Sequence, residues 1–219
     1  MNKSFARFTR IIVPGFVDTL FMIVCTMTLA TIFGFIIATI LYLTDKNGLK
    51  PNKVIHTTIN TLVNTIRSFP FIILVVSLMP LTRKLVGTAI GRQAALVPLT
   101  IAATCFVSRI IESSFKEVDY KLIEAVKSFG ASDFQIMREV VLVESIPSIV
   151  SGLTVSVVSI LGTTAAAGAV GAGGLGSVAI DYGYNSFDDT IMYGTVLVLI
   201  VLVQTIQAIG NKIYRKVRK

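Results

Sequence analysis

Long apolar stretches alternate with short polar ones along this chain, and the pattern predicts helices that cross a membrane. No Asp, Glu, Lys or Arg occurs from Thr19 through Thr44. That run exceeds the ~20 apolar residues a spanning helix needs, so a first helix is expected there. Lys3, Arg7 and Arg10 precede it as they would in a secretory signal, yet the run is too long and no small-residue cleavage site closes a short apolar core. Residues 1–14 therefore read as a tail. A second helix should combine the apolar Phe69–Leu81 with part of Val54–Ile66, a stretch with helical spacing but studded with His56, Thr57, Thr58, Asn60, Thr61, Asn64 and Thr65. Such a stretch belongs either at the membrane interface or inside an assembly, and Pro70 and Pro80 kink the helix or mark its ends. A third helix is predicted over Ala94–Val107, with Arg109 and Glu112 at its exit, spaced for a local ion pair or for a gate contact. Ser145 through Ile180 and Thr190 through Asn211 are again uncharged, which predicts a fourth helix over Ile146–Val170 and a fifth over Ile191–Ile209. The expected fold is an all-α integral membrane protein, a bundle of about five transmembrane helices over residues 15–210, closed by a basic tail at 211–219.

One amphipathic island interrupts this pattern, Asp119 to Leu142. Asp119 is placed as an N-cap, and Leu122, Val126 and Phe129 form an apolar stripe on a helix of about three turns, with Lys121, Glu124 and Lys127 opposite. Gly130 stops that helix, since glycine takes the left-handed conformation without a Cβ penalty. Ser132 and Gln135 then have the spacing of a capping box, and Asp133 lies at the positive end of a new helix dipole. The second helix carries its own stripe, Phe134, Met137 and Val141. Helix, glycine turn and helix would lie at a membrane surface, either as a solvated loop or as a docking site.

The residues of the island decide between these through a resemblance. Glu124, Ala125, Gly130, Val140 and Leu142 resemble the EAA motif of the membrane subunits of bacterial ABC importers, with Val126 where that family has a third small residue and proline delayed to Pro147. RSFPFIILVV (Arg67–Val76), VGTAIGRQAALVPLT (Val86–Thr100) and GAVGAGGLG (Gly168–Gly176) extend the likeness to the permease subunits of methionine importers over nearly the whole chain. The resemblance implies a coupling loop at about 113–142. Lys121, Glu124, Ala125, Lys127, Ser128, Gly130, Ala131 and Ser132 would then dock on a cytoplasmic ABC ATPase dimer. It also implies a homodimer with the path on its two-fold axis, an extracytoplasmic methionine-binding protein as partner, and a place in the bacterial cytoplasmic membrane. Methionine is an implication of the resemblance. An ABC permease for another amino acid, or an ion-driven secondary carrier or channel, are the alternatives; a carrier predicts paired ionisable residues in mid-membrane, which helices one, four and five lack.

Composition and charge narrow the chemistry further. Of 219 residues 53% are hydrophobic and 15% charged, with mean hydropathy +0.79, values that belong to a membrane protein. The net charge of +8 fits basic loops held against anionic membrane lipid and points away from nucleic acid. With the N-terminus outside and the C-terminus cytoplasmic, the inner segments hold twelve basic residues against six outside. The positive-inside rule favours that orientation, while the basic N-terminal segment opposes it. Cys25 and Cys105 lie in apolar runs and read as buried free thiols. His56 is the only histidine, placed as a polar interface residue, and no metal-ligand spacing occurs. G-x-x-x-x-G-K-[ST] is absent, since no Gly-Lys pair exists. The chain is therefore expected to be no enzyme and to bind no cofactor itself, with ATP used by a partner subunit. Gly171–Gly176 fits G-x-G-x-x-G but lacks the preceding strand of a nucleotide site, and is expected to be a flexible outer loop. Candidates for the pathway are Arg67 and Pro70 and the small polar face of the fourth helix, Ser159, Gly162, Thr163 and Ala166. That face equally suits close helix packing, and Arg67 lies either within a span or at the cytoplasmic interface.

Overall fold

The computed structural model describes residues 3–218, residues 3–6 by their backbone alone; Met1, Asn2 and Lys219, which belong to the expected terminal segments, lie outside the described residues. The described residues form helices and connecting turns with no strand. Four helices are long and apolar enough to cross a membrane, or five spans if a bent helix pair counts as one.

Helix α1 covers Lys3–Thr44. It starts well before Thr19, and two of the charges ahead of the apolar run, Arg7 and Asp18, are matched in place. Arg92 Nη1 donates to Asp18 Oδ1 at 2.7 Å, and Arg7 pairs with Asp188 at 3.2 Å. Phe8, Ile11, Ile12 and Phe16 add apolar packing along the same stretch. At 1.5 Å per residue its 42 residues span about 63 Å.

The expected second helix is two helices. Asn52 caps α2 (Lys53–Ser68) by accepting from the Ile55 amide at 3.1 Å, and α3 (Phe71–Val86) follows at 110° to it. The break has a local cause: Pro70 offers no amide hydrogen and pushes Phe69 out of the helical region, to φ −75°, ψ 131°. Val63 is the one buried residue among those of α2.

Helix α4 (Arg92–Lys116) outruns the predicted Ala94–Val107, since Arg109, Glu112 and Lys116 compensate one another in its last turns. Helix α5 (Tyr120–Ser128) and a glycine turn lead to α6 (Asp133–Gly168). The second island helix and the expected fourth span are thus one continuous element, with a single widened turn of π type at Ile136–Val141. Helix α8 (Asp189–Val217) carries the basic residues through Lys216 in helical form.

Between them lies the largest departure from expectation. Residues 174–184 form a short helix, α7, rather than a flexible loop. Gly174, Leu175 and Gly176 are buried, and a Cβ on Gly176 would stand 2.2 Å from the Ala165 carbonyl oxygen. Backbones of α6 and α7 cross so closely that only glycine fits. Thr19 Oγ1 accepts from the Leu175 amide at 2.9 Å and fixes the segment to α1.

Packing clusters fix the helix directions. Ile12 shares a cluster with Ile191, and Ile23 shares one with Leu202, so α1 and α8 run the same way. Helix α4 runs with them: Met22 clusters with Ala95 and Leu99, and Tyr42 meets the Phe115 ring at 5.5 Å. Helix α6 runs against them, since Ala167 joins Met22 while Val141 joins Tyr42. One end of the bundle therefore gathers the C-terminal ends of α1, α4 and α8 with α5 and the start of α6.

Candidate functional site

Short-range capping builds the surface at that end. Asp119 Oδ1 accepts from the Lys121 amide at 2.9 Å, which starts α5. Gly130 ends it with φ +84°, a conformation that costs other L-residues about 1–2 kcal/mol. Beyond the turn, Gln135 donates its amide to Ser132 Oγ at 3.3 Å, and Gln135 Oε1 accepts from the Ser132 amide at 2.9 Å. Both halves of the capping box are present, as the spacing predicts.

Tertiary packing then selects which side of α5 faces in. Ile123, 6% exposed, enters the largest cluster with Tyr42, Phe115, Ile136 and Val141. This corrects the expected stripe. Val126 does pack against that cluster, but Leu122 is exposed and Phe129 is 91% exposed. Phe129 is the C-cap, where the chain leaves helical geometry, so 3.6-residue spacing no longer governs its direction. The second stripe departs in the same way: Phe134 is 71% exposed, Met137 is half-buried, and Ile136 joins Val141 in the core. Lys121, Glu124, Ala125, Lys127, Ser128, Gly130 and Ser132 are all exposed, and Ala131 is half-buried against the cluster. The result is a compact outward surface that carries both charges and two uncovered phenyl rings, Phe129 and Phe134.

Two cavities flank α5. One, about 750 Å³, lies between it and the turn after α1, lined by Tyr42, Asp45, Lys116 and Tyr120 among others. Lys116 Nζ pairs with Asp45 Oδ2 there at 2.7 Å, and that hydrogen bond holds the Asp45 carboxyl below the usual carboxylate range. The other, about 440 Å³, places Asp119 and Leu122 beside Glu144 and the C-terminal Tyr214 and Arg218. The island and the basic C-terminal segment thus share one end of the molecule.

The pathway candidates divide. Arg67, Ser159 and Thr163 line one cavity of about 230 Å³ with Phe69, Phe71 and Phe106. Pro70 stands exposed at the α2–α3 break beside it; Gly162 is exposed and Ala166 half-buried on the same face of α6, three and seven residues beyond Ser159. The cavity lies beside the α2–α3 break, with Ile66 and Arg67 of α2 and Phe71 and Leu74 of α3 in its lining. Sequence reasoning missed Asn60 and Asn64 as partners of Arg109: both accept from its Nη2, Asn64 at 2.9 Å. Their four-residue spacing on a Thr/Asn-rich helix was the available signal. Among the described residues no group of three or more His, Cys, Asp or Glu side chains is placed to hold a metal ion.

A bundle of four or five membrane-length helices with one capped, outward-facing loop element is the architecture of a multi-pass membrane protein, and comparison with known proteins narrows this. Residues 30–219 match the model of the family described as binding-protein-dependent transport system inner membrane component. The chain belongs to that family, whose members are the membrane permease components of ABC importers, with ATP hydrolysis in a separate subunit. It is 43% identical over 200 residues to a probable D-methionine transport system permease protein of Vibrio cholerae, covering 91% of this chain and 89% of that protein. It is 39% identical over 174 residues to a methionine import system permease protein of Bacillus subtilis, covering 80% and 78%. A solved structure of an inward-facing MetNI methionine ABC transporter superposes with a TM-score of 0.94 at 37% identity, covering 100% of both chains. An amino acid ABC transporter at 20% identity and a TM-score of 0.81 shares the fold.

Proposed function

We propose that this chain is the permease of an ATP-driven methionine importer, working as a homodimer whose pathway lies on the two-fold axis. The observation that carries the reading is the outward surface of α5 and its glycine turn, set on a chain 43% identical to a probable D-methionine permease. Lys121, Glu124, Ala125, Lys127, Ser128, Gly130, Ala131 and Ser132 would seat this surface in a cytoplasmic ATPase dimer. ATP is used there, and this chain binds no cofactor. Closure of the ATPases would displace α5, and its anchor Ile123 would carry the ends of α1, α4 and α6 with it. The pathway candidates are Arg67 and Pro70 at the α2–α3 break and Ser159, Gly162, Thr163 and Ala166 on α6. An extracytoplasmic methionine-binding protein would deliver substrate to the opposite end.

Orientation follows from the same reading. If α5 meets a cytoplasmic ATPase, the C-terminal end of α8 is cytoplasmic and the first residues of α1 are outside. Single cysteines at Asp188 and Lys216 should label from opposite faces of the bacterial cytoplasmic membrane; labelling of both from one face overturns the arrangement.

The docking claim is tested by detergent pull-down of the tagged chain from its native membrane, wild type against Gly130→Val. A stoichiometric ATPase with the wild type, depleted with the variant, is the expected result. No ATPase with the wild type, or equal recovery with both, would overturn it.

A further inference from the structure

The last turns of α4 carry a continuous polar ladder that docking does not use. Glu112 is 3% exposed, and its two carboxylate oxygens serve two different cations. Arg109 Nη1 donates to Oε2 at 2.7 Å and Lys116 Nζ to Oε1 at 2.8 Å. Lys116 also holds Asp45 on the turn after α1. On its other side Arg109 Nη2 reaches Asn60 and Asn64 of α2. A buried carboxylate shared in this way is strongly destabilised if one partner leaves, so the three elements are held as one piece.

The two ends of the ladder lie at informative places. Lys116 is the last residue of α4, Phe115 beside it packs in the cluster that contains Ile123, and α5 begins at Tyr120. At the far end, Asn60, Asn64 and Arg67 are four and three residues apart and share a face of α2. Arg67 lies in the last turn before the Pro70 break and borders the cavity that Ser159 and Thr163 also line. Helix α2 has few other holds on the bundle: His56 Nδ1 meets the Leu41 carbonyl oxygen of α1 at 3.2 Å, Val63 is its one buried residue, and Val54 and Leu62 are exposed. Arg109 Nε is buried without an acceptor, which leaves the guanidinium a spare donor for a second arrangement of α2.

We propose that the ladder Asn60/Asn64–Arg109–Glu112–Lys116–Asp45 is the strut that passes a displacement of α5 to α2 and so to Arg67 at the cavity edge. Its members are positioning residues of the transport cycle and do not touch the substrate. The inference rests on the reading of α5 as the ATPase-docking element. A strut of this kind makes the state of α5 and the position of Arg67 two ends of one equilibrium, so a change at either is felt at the other.

The test uses the complete complex with its ATPase in proteoliposomes, with uptake and ATP hydrolysis measured together. Asn60→Ala with Asn64→Ala frees α2 and leaves Arg109, Glu112 and Lys116 paired. Assembly and hydrolysis are expected within about twofold of wild type while uptake per ATP falls about tenfold, the scale of a typical coupling free energy. Asn60→Ala with Asn64→Asp, which returns an acceptor for Arg109, should recover most of that ratio. If the double alanine variant does not accumulate, Asn64→Ala alone carries the same readout with a smaller fall. A merely supporting role would lower the amount of assembled complex and leave uptake per ATP unchanged; that result in either alanine variant overturns the strut while docking stands. A wild-type chain that never assembles with an ATPase overturns the docking reading, and this inference with it.

Discussion

Two glycines in this chain, Gly130 in a turn and Gly176 inside α7, are required for different physical reasons. Gly130 takes φ +84° in open space: a Cβ built there has nothing within 4 Å. Its requirement is conformational and local, and the turn it makes turns Phe129 outward to solvent. Gly176 needs no unusual dihedral but sits in a crossing where a Cβ would meet the backbone of Ala165. Its requirement is steric and tertiary. One glycine displays a surface, and the other closes a core. The contrast teaches that a glycine read from sequence alone says where the chain is unusual without saying whether the cause is a turn or a neighbour.

Substitution separates the two causes. Gly176→Val should be the most damaging change, because backbone on both sides must shift; overpacking of this kind costs about 1–3 kcal/mol or more. The expected result is a large loss of folded protein in detergent and a lowered unfolding temperature. A variant as stable as wild type would mean that the α6–α7 crossing is looser than the 2.2 Å approach implies. Gly130→Val should cost less, about 1–2 kcal/mol of local strain at a left-handed residue. Its fold should survive while ATPase binding and uptake are lost. Gly130→Asn sharpens the point, since asparagine tolerates the left-handed region and should bind the ATPase nearly as wild type does. Equal damage from valine and asparagine would show that the side chain at 130, and not its backbone, decides docking.

The same distinction explains what was legible in the sequence. Local rules of capping and charge-free length produced the Asp119 cap, the Ser132–Gln135 box, the Gly130 turn and the cores of the spans. Resemblance supplied the family, and with it the expectation of a coupling loop. What failed depended on partners distant in sequence. Helix α1 extends back past Asp18 because Arg92 neutralises that carboxylate across 74 positions. Residues 174–184 are helical and packed because Thr19 and Ala165 close on them. Leu122 and Phe129 face outward because the core at this end already holds Ile123, Ile136 and Val141. A stripe of apolar residues does not carry the identity of its partner, so periodicity placed Val126 rightly and turned Leu122 and Phe129 the wrong way. Arg109 and Glu112 were readable as a pair, but Asn60 and Asn64 entered only once α2 was folded against α4.

The smallest expected effect tests the ground beneath α5. Lys116 holds the Asp45 carboxyl below its ordinary range. A depressed carboxylate contributes stability that is fully present above the unfolded carboxyl pKa, near 3.9, and is lost as pH falls through the folded value. Asp45→Asn should therefore lower the unfolding temperature slightly at neutral pH, for a loss of about 0.5 kcal/mol once solvent screening of this partly exposed pair is allowed for. The difference from wild type should shrink as the pH is taken below 4 and vanish where Asp45 itself is protonated. Glu112 keeps Lys116 in place in the variant, so the end of α4 should not move and ATPase binding should persist. Thermal unfolding of the two proteins across pH 3 to 7 in detergent measures this directly. A difference that stays constant with pH would assign the stability of this turn to the hydrogen-bonding shape of residue 45 rather than to its charge.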